Sequence, residues 1–229
     1  MKLIFHGQSC VEIRLQEHTL IIDPFLNHNP QAVVKAEEIK ADYILVTHGH
    51  GDHVGDTLEI AKRNEATVIA PNDLARYLGF QGAKTHGMGI GGEFAFPFGK
   101  VKMTLALHDS SYNPPGTTEN IYTGMASGFL ITVEGKTIYH AGDTALFGDM
   151  QLIGKLNEID LAFLPIGDNY TMGPRDAVIA AQFLQAKTVI PMHYNTFPVI
   201  EQNPHAYVEG LAAEGIKGLV LEPGQHITL

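Results

Sequence analysis

Short apolar runs with strand character open the chain: Leu3-Ile4-Phe5, Cys10 to Leu15 with partial alternation, and Thr19-Leu20-Ile21-Ile22 ending at Asp23-Pro24. Their length and β-branched content predict antiparallel strands joined by tight turns. From Tyr43 the pattern changes to strand, loop and helix. Tyr43 to Thr47 reads as a buried strand, His48 to His53 as a loop, and about Gly55 to Arg63 as a helix. Val68-Ile69-Ala70 is the next strand, and Asn72, as an N-cap, starts a short helix.

A Gly-rich stretch from Gly87 to Gly92 precedes a predicted hairpin, Glu93 to Phe98 and Lys100 to Leu107. Next comes a segment from Asp109 to Tyr122 in which Asn113-Pro114-Pro115-Gly116 excludes regular structure. The β-then-α order then repeats. Phe129 to Val133 and Thr137 to His140 flank the turn Glu134-Gly135-Lys136, and Leu161 to Leu164 form a buried strand. A helix starting at Pro174 runs through Gln185, Thr188 to Ile190 is a strand, and a helix from about His205 to Glu214 precedes a terminal strand, Leu219 to Leu229. Strands followed by βα units in both halves predict an α/β arrangement of two mixed β-sheets packed face to face with helices outside, a four-layer αββα sandwich. No composition shift or flexible linker separates the halves, so residues 1–229 are expected to form a single domain.

Composition changes this picture mainly by exclusion. The formal net charge is -10 with no Lys/Arg cluster, which disfavours nucleic acid as a partner. Cys10 is the only cysteine, so neither an intrachain disulfide nor a thiolate-bound structural zinc is available. His6, Gln8 and Glu12 interrupt the apolar start before a signal-peptide core is complete, and no run is long enough to span a bilayer. A cytoplasmic protein without a membrane role is the expectation, and homo-oligomer formation is left open.

Thr47-His48-Gly49-His50-Gly51-Asp52-His53 places four potential metal ligands within six residues directly after a predicted buried strand. Gly49 and Gly51 let the backbone turn sharply, so closely spaced side chains can converge. Neutral imidazoles with a carboxylate suit zinc, iron or manganese, and the lack of thiolates favours a catalytic site over a closed structural one. A His-rich surface turn is the alternative for such a loop taken alone. Three further candidates sit at strand ends downstream: His108 in Ala106-Leu107-His108-Asp109-Ser110, Asp143 in His140-Ala141-Gly142-Asp143-Thr144, and His193 in Pro191-Met192-His193-Tyr194-Asn195.

The loop resembles the H-x-H-x-D-H signature of the metallo-β-lactamase fold superfamily. The likeness extends over nearly the whole chain to a branch of uncharacterised metal-dependent hydrolases related to the ascorbate-6-phosphate lactonases. It rests on Asp23-Pro24-Phe25-Leu26, Thr47 to Gly55, Thr123-Gly124-Met125, His140 to Thr144, Leu164 to Asp168, Thr171-Met172-Gly173-Pro174 and His193 to Pro198. This resemblance implies the αββα metallo-β-lactamase sandwich. It also implies two divalent ions, Zn2+ first and Mn2+ or Fe2+ as alternatives. His48, His50 and His108 would hold one ion, Asp52, His53 and His193 the other, with Asp143 bridging. One departure is Gln8, which stands where relatives usually carry a histidine.

The implied chemistry is hydrolysis, with a hydroxide shared by the two ions attacking an ester, lactone, amide or phosphodiester bond of a small, anionic molecule. Asp52 is the candidate to orient that nucleophile and pass its proton to the leaving group. Asp23 reads either as a carboxylate supporting the ligand loop or as a turn residue. Thr144 and Asn195 read either as substrate contacts or as backbone caps, and His140 as a site neighbour or a structural histidine. The loop from Asp109 is expected to form part of the rim. A nuclease of the same fold and a metal-binding protein without catalysis are the competing readings. A β-lactamase is disfavoured by Asp143, where those enzymes usually carry cysteine. A di-iron redox protein is disfavoured by His50, where those usually carry glutamate, and by the lack of a flavin-binding domain.

Overall fold

The computed structural model describes residues 1–229. In chain order the elements are β1 (Lys2–Phe5), β2 (Val11–Arg14), β3 (Thr19–Ile22), β4 (Tyr43–Leu45), α1 (Gly51–Val54), α2 (Thr57–Asn64), β5 (Thr67–Pro71), α3 (Asn72–Phe80) and β6 (Lys84–Met88). They continue with β7 (Glu93–Phe96), β8 (Gly99–Leu105), β9 (Ser111–Tyr112), β10 (Ile121–Tyr122), β11 (Ser127–Val133) and β12 (Lys136–His140). The last are α4 (Met150–Leu156), β13 (Leu161–Pro165), α5 (Pro174–Leu184), β14 (Val189–Met192), α6 (Pro204–Ala213) and β15 (His226–Thr228).

Two mixed sheets form the centre, a seven-stranded one ordered β15-β1-β2-β3-β4-β5-β6 and a six-stranded one ordered β14-β13-β12-β11-β8-β7. In the first, β15 to β3 pair antiparallel and β3 to β6 parallel. In the second, β12, β13 and β14 are parallel and the remaining pairs antiparallel. The two-residue period of a strand sorts side chains between layers. Leu20, Ile22, Leu45 and Ile69 enter the main core with residues of the second sheet, whereas Ile21, Ile44, Val68 and Ala70 enter a second core with Ile60, Leu74 and Leu78 of α2 and α3. Parallel strands covered on both faces explain why Tyr43 to Thr47 reads as an unbroken apolar run. On the other side, Ala177, Ala180, Ala181 and Leu184 form the buried stripe of α5, spaced as one helical face. The αββα sandwich expected from the sequence is the architecture found, and no helix is long and apolar enough to cross a membrane.

Local differences have local reasons. The helix expected from about Gly55 to Arg63 is α2, which starts after Asp56, and the ligand segment expected as a loop carries the short α1, which stops at Gly55, whose φ of 42° no helix can continue. Asn72 is the first residue of α3 rather than its N-cap, a position taken by Pro71. β6 and α4 were not expected; α4 leaves Leu152 and Leu156 exposed, so its apolar pattern does not mark one buried face. The segment from Asp109 to Tyr122 closes on itself through the two-residue pairing of β9 with β10. The terminal strand is split: Lys217 to Leu219 run beside Val189 of β14, Pro223-Gly224 turns the chain, and only His226–Thr228 joins the first sheet.

Candidate metal centre

Thr47 anchors the ligand loop between the sheets. Its N–H and hydroxyl donate to Asp23 Oδ1 (2.8 Å) and Oδ2 (2.7 Å), and its carbonyl accepts from the Ser127 N–H (3.0 Å) and hydroxyl (2.8 Å). Gly49 N–H donates to Ser110 Oγ at 3.0 Å, and a Cβ at 49 would collide with the Thr123 hydroxyl, so the loop tolerates no side chain there. The His50 carbonyl then accepts from His53 and Val54, starting α1 and turning Asp52 and His53 inward. Gly142, at φ 62°, passes so close to the Ser127 carbonyl that Asp143 can reach the same point from β12.

All seven predicted ligands meet at this end of the sheets. Asp143 Oδ2 lies 2.9 Å from His193 Nε2, 3.2 Å from His53 Nε2, 3.7 Å from His108 Nε2 and 4.0 Å from His48 Nε2. His50 turns Nδ1 inward, 3.0 Å from His48 Nε2 and 3.2 Å from His108 Nε2. Asp52 Oδ2 is 3.6 Å from both His53 Nε2 and His193 Nε2. Three overlapping groups can each hold an ion: His48, His50 and His108; His48, His53 and Asp143; and Asp52, His53 and His193.

The donor chemistry fits a metal. Three ring nitrogens of His48, His50 and His108 converge, and a hydrogen bond between any two leaves the third lone pair facing nitrogen, an arrangement a cation resolves. His53 Nε2 and Asp143 Oδ1 are buried without a hydrogen-bond partner; His53 Nε2 is near Asp143 Oδ2 but not in bonding geometry. Burial pushes the His48 and His108 imidazoles below the ordinary range, with the neighbouring His53 adding to this at His48. Burial opposes charge on His53 and His193 too, but Asp143 and Asp52 outweigh it, lifting His53 well above its ordinary value and His193 to about 9. Burial likewise works against the Asp52 and Asp143 carboxylates, yet His53 and His193 hold both below the usual carboxylate range. The carboxylates thus draw His53 and His193 toward the charged form, as expected of ligands that release protons on metal binding.

A family model described as the Beta-lactamase superfamily domain matches residues 18–194. UPF0173 metal-dependent hydrolases of Bacillus cereus and Bacillus cytotoxicus are each 60% identical to the chain over 229 residues, covering 100% of both partners. The structure of Igni18, a metallo hydrolase from the archaeon Ignicoccus hospitalis, superposes with a TM-score of 0.90 at 35% identity, covering 100% of this chain and 97% of that one. The chain belongs to the metallo-β-lactamase fold superfamily, within its UPF0173 family.

Around the centre of this UPF0173 member, the other sequence candidates take distinct places. Asp23 is buried and binds His53 Nδ1 at 2.7 Å, fixing that ring with Nε2 inward. His140 is buried beside it: Nε2 donates to the Ser9 carbonyl (2.9 Å) and Nδ1 accepts from Gly142 N–H (3.3 Å), so it supports the turn before Asp143. Thr144, also buried, accepts from Leu107 N–H at 3.0 Å and ties the His108 strand to the Asp143 strand. Asn195 points away from the centre, its Oδ1 accepting from Gln202 N–H at 2.7 Å.

Sequence reasoning missed the part played by Gln8. Its Nε2 donates to Asp52 Oδ2 at 2.8 Å, and its carbonyl accepts from His193 N–H at 2.7 Å. The departure from the family histidine marked the position but not this contact. Gln8, Asp23 and His193 all have left-handed backbones, at φ 52°, 46° and 55°. Such conformations cost about 1–3 kcal/mol each and persist where surrounding structure imposes them.

The centre opens into a cleft of about 730 Å³ lined by Phe25, His50, Gly51, Asp52, His108, Asp109, Asp143, Tyr170, His193, Phe197 and Val199. Of the loop expected to form the rim, only Asp109 reaches this lining, its carboxylate 3.5 Å from His50 Nε2. Farther along, Tyr112 packs against Tyr77 of α3 instead. The lining also takes Tyr170, Phe197 and Val199 from the segments after β13 and β14.

Proposed function

We infer that the chain is a metal-dependent hydrolase with two divalent ions that cleaves an ester, lactone, amide or phosphodiester bond of a small molecule in the cytoplasm. The observation that carries this reading is one buried carboxylate oxygen, Asp143 Oδ2, within 4.0 Å of the Nε2 atoms of four histidines. The names of the UPF0173 relatives and of Igni18, all metal-linked hydrolases, support the reaction class. His48, His50 and His108 would hold one ion and Asp52, His53 and His193 the other, with Asp143 between them, in a single domain. Zn2+ suits the imidazole-rich donor set best, and Mn2+ and Fe2+ suit it next.

Divalent ions bound there supply an acidified water and Lewis acidity toward the developing oxyanion. The protein's own part is orientation and proton handling. Aimed by Gln8, Asp52 would accept a proton from the nucleophile and return it to the leaving group. Asp23 keeps His53 in one tautomer, and Thr144 with His140 locks the Asp143 turn. A polynucleotide substrate is disfavoured because the net charge of -10 offers no phosphate-binding track.

Elemental analysis of protein reconstituted in turn with zinc, manganese and iron, combined with a turnover screen over lactones, esters, amides and phosphodiesters, tests the reading. Two ions per chain and hydrolysis lost on chelation are expected. A stoichiometry that never exceeds one ion, or efficient cleavage of RNA with steeply salt-dependent binding, would contradict it.

A further inference from the structure

The cleft has two unlike walls. One carries the candidate ligands; the other consists of Phe25, Tyr170, Phe197 and Val199. Tyr170 and Val199 are each 57% exposed, and the Phe25 and Phe197 rings lie 6.4 Å apart. These residues come from three segments, after β3, β13 and β14. Asp56 secures the first loop by accepting from the Leu26 and Asn27 N–H groups, both at 2.9 Å. Asn195 secures the third through its bond to Gln202.

Apart from the candidate ligands, charge in the lining is acidic. It contains no lysine or arginine, and it carries Asp109, whose carboxylate is 83% exposed. A substrate phosphate or carboxylate away from the ligands would find no lysine or arginine in the lining, which carries that carboxylate. The anionic small molecule expected from the sequence therefore has no second site of charge to satisfy here. The volume is that of an ordinary small-molecule pocket, in which apolar lining supplies affinity and a few polar groups fix orientation.

We propose that the substrate is a small molecule with an uncharged, apolar group flanking the scissile bond, seated on Phe25, Tyr170, Phe197 and Val199, and that phosphorylated or otherwise polyanionic compounds are excluded. This rests on the hydrolase reading above for the reaction itself, but the apolar wall can be measured apart from turnover.

Calorimetric titration of zinc-loaded protein with straight-chain hydroxamic acids, from acetyl to octanoyl, presents a metal-binding head with a growing tail. Affinity should rise about fourfold per methylene until the wall is covered. Suberic acid monohydroxamate, matched in length to the octanoyl compound but ending in a carboxylate, should bind at least about tenfold more weakly. The same order is expected in kcat/KM for p-nitrophenyl acetate, butyrate and hexanoate, with mono-p-nitrophenyl adipate below the hexanoate. Phe197→Ser should flatten the dependence on tail length, and Tyr170→Arg should relieve the penalty on the carboxylate-ended compounds. A flat series in the unsubstituted protein, or preference for the anionic tail, overturns the proposal. A rising affinity series without ester hydrolysis upholds the apolar wall and removes esters from the hydrolase reading, leaving its other bond types to the turnover screen. Failure of every hydroxamate to bind removes the metal reading and this proposal with it.

Discussion

The two ligand groups of the centre share a neighbourhood but not a charge state. Around His48, His50 and His108 the three imidazoles lie closest to one another, with Asp143 at 3.7–4.0 Å, and burial holds His48 and His108 toward their neutral form. Around Asp52, His53 and His193 the carboxylates dominate, so the metal-free protein keeps His53 and His193 toward their protonated form. The first group gains a partner for lone pairs when an ion enters; the second must exchange protons for it. The difference teaches that metal binding at the second half of the centre is coupled to proton release, with Asp143 common to the contacts of both.

Removing that common carboxylate should have the largest effect. Asp143→Ala leaves His53 and His193 without their main counter-charge, and breaking a buried pair in this way typically costs about 3–5 kcal/mol. The variant should bind fewer ions than the unsubstituted protein, lose hydrolysis and melt earlier in the metal-free form. Elemental analysis and calorimetry read all three. Unchanged ion content would remove Asp143 from the shared position.

Asp52→Asn comes next and separates the groups. The amide keeps the shape but loses the charge, so the His48, His50 and His108 group should retain its ion while kcat falls about 10²–10⁴-fold, the range for loss of a positioned acid–base group. Activity within a factor of two of the unsubstituted protein at equal metal content would show that Asp52 does not carry protons.

How much of this asymmetry was legible in the sequence depends on where each ligand lies. His48, His50, Asp52 and His53 declare themselves because a single loop with two glycines delivers them together. His108, Asp143 and His193 are solitary, and only strand-end position and family order singled them out. The layers were legible from apolar periodicity, which long-range packing then obeyed in the main sheets. α4, the split C-terminal strand and the apolar rim were not, because short segments take their form from what they pack against. Gln8 was visible as a departure, yet its contact to Asp52 spans 44 positions in sequence and depends on a left-handed turn that no periodicity encodes.

The charge contrast also predicts a pH effect of intermediate size. His193 has a pKa raised from 6.5 to about 9 in the metal-free fold, so its contribution to stability is full below pH 6.5 and is lost as pH rises through about 9. Metal-free protein should therefore melt at lower temperature at pH 9.5 than at pH 7. Zinc affinity of the second group should climb over the same interval, by about tenfold per pH unit for each proton displaced. The first group, with His48 and His108 already held toward neutrality, should change less. Parallel titrations with a competing chelator at pH 6.5, 7.5 and 8.5 distinguish the two, and equal slopes would erase the contrast.

The smallest effect is expected at Gln8, where the comparison can be sharpened without substituting any ligand. Its side chain meets only the second group, through Asp52, while its backbone carbonyl holds His193 whatever side chain is present. Asparagine tolerates the left-handed backbone at this position but is one methylene shorter, so Gln8→Asn should keep the turn and lose the bond to Asp52. Hydrogen bonds to charged groups contribute about 1.5–3 kcal/mol, and with Asp52 partly open to solvent the lower end applies, about tenfold in kcat. Ion content and KM should stay near those of the unsubstituted protein, because no ligand and no part of the apolar wall has changed. Gln8→His, which restores a ring N–H donor, should recover part of the loss. A drop in ion content with unchanged kcat per bound ion would instead assign Gln8 to holding the His193 side of the centre, and its role in aiming Asp52 would be wrong.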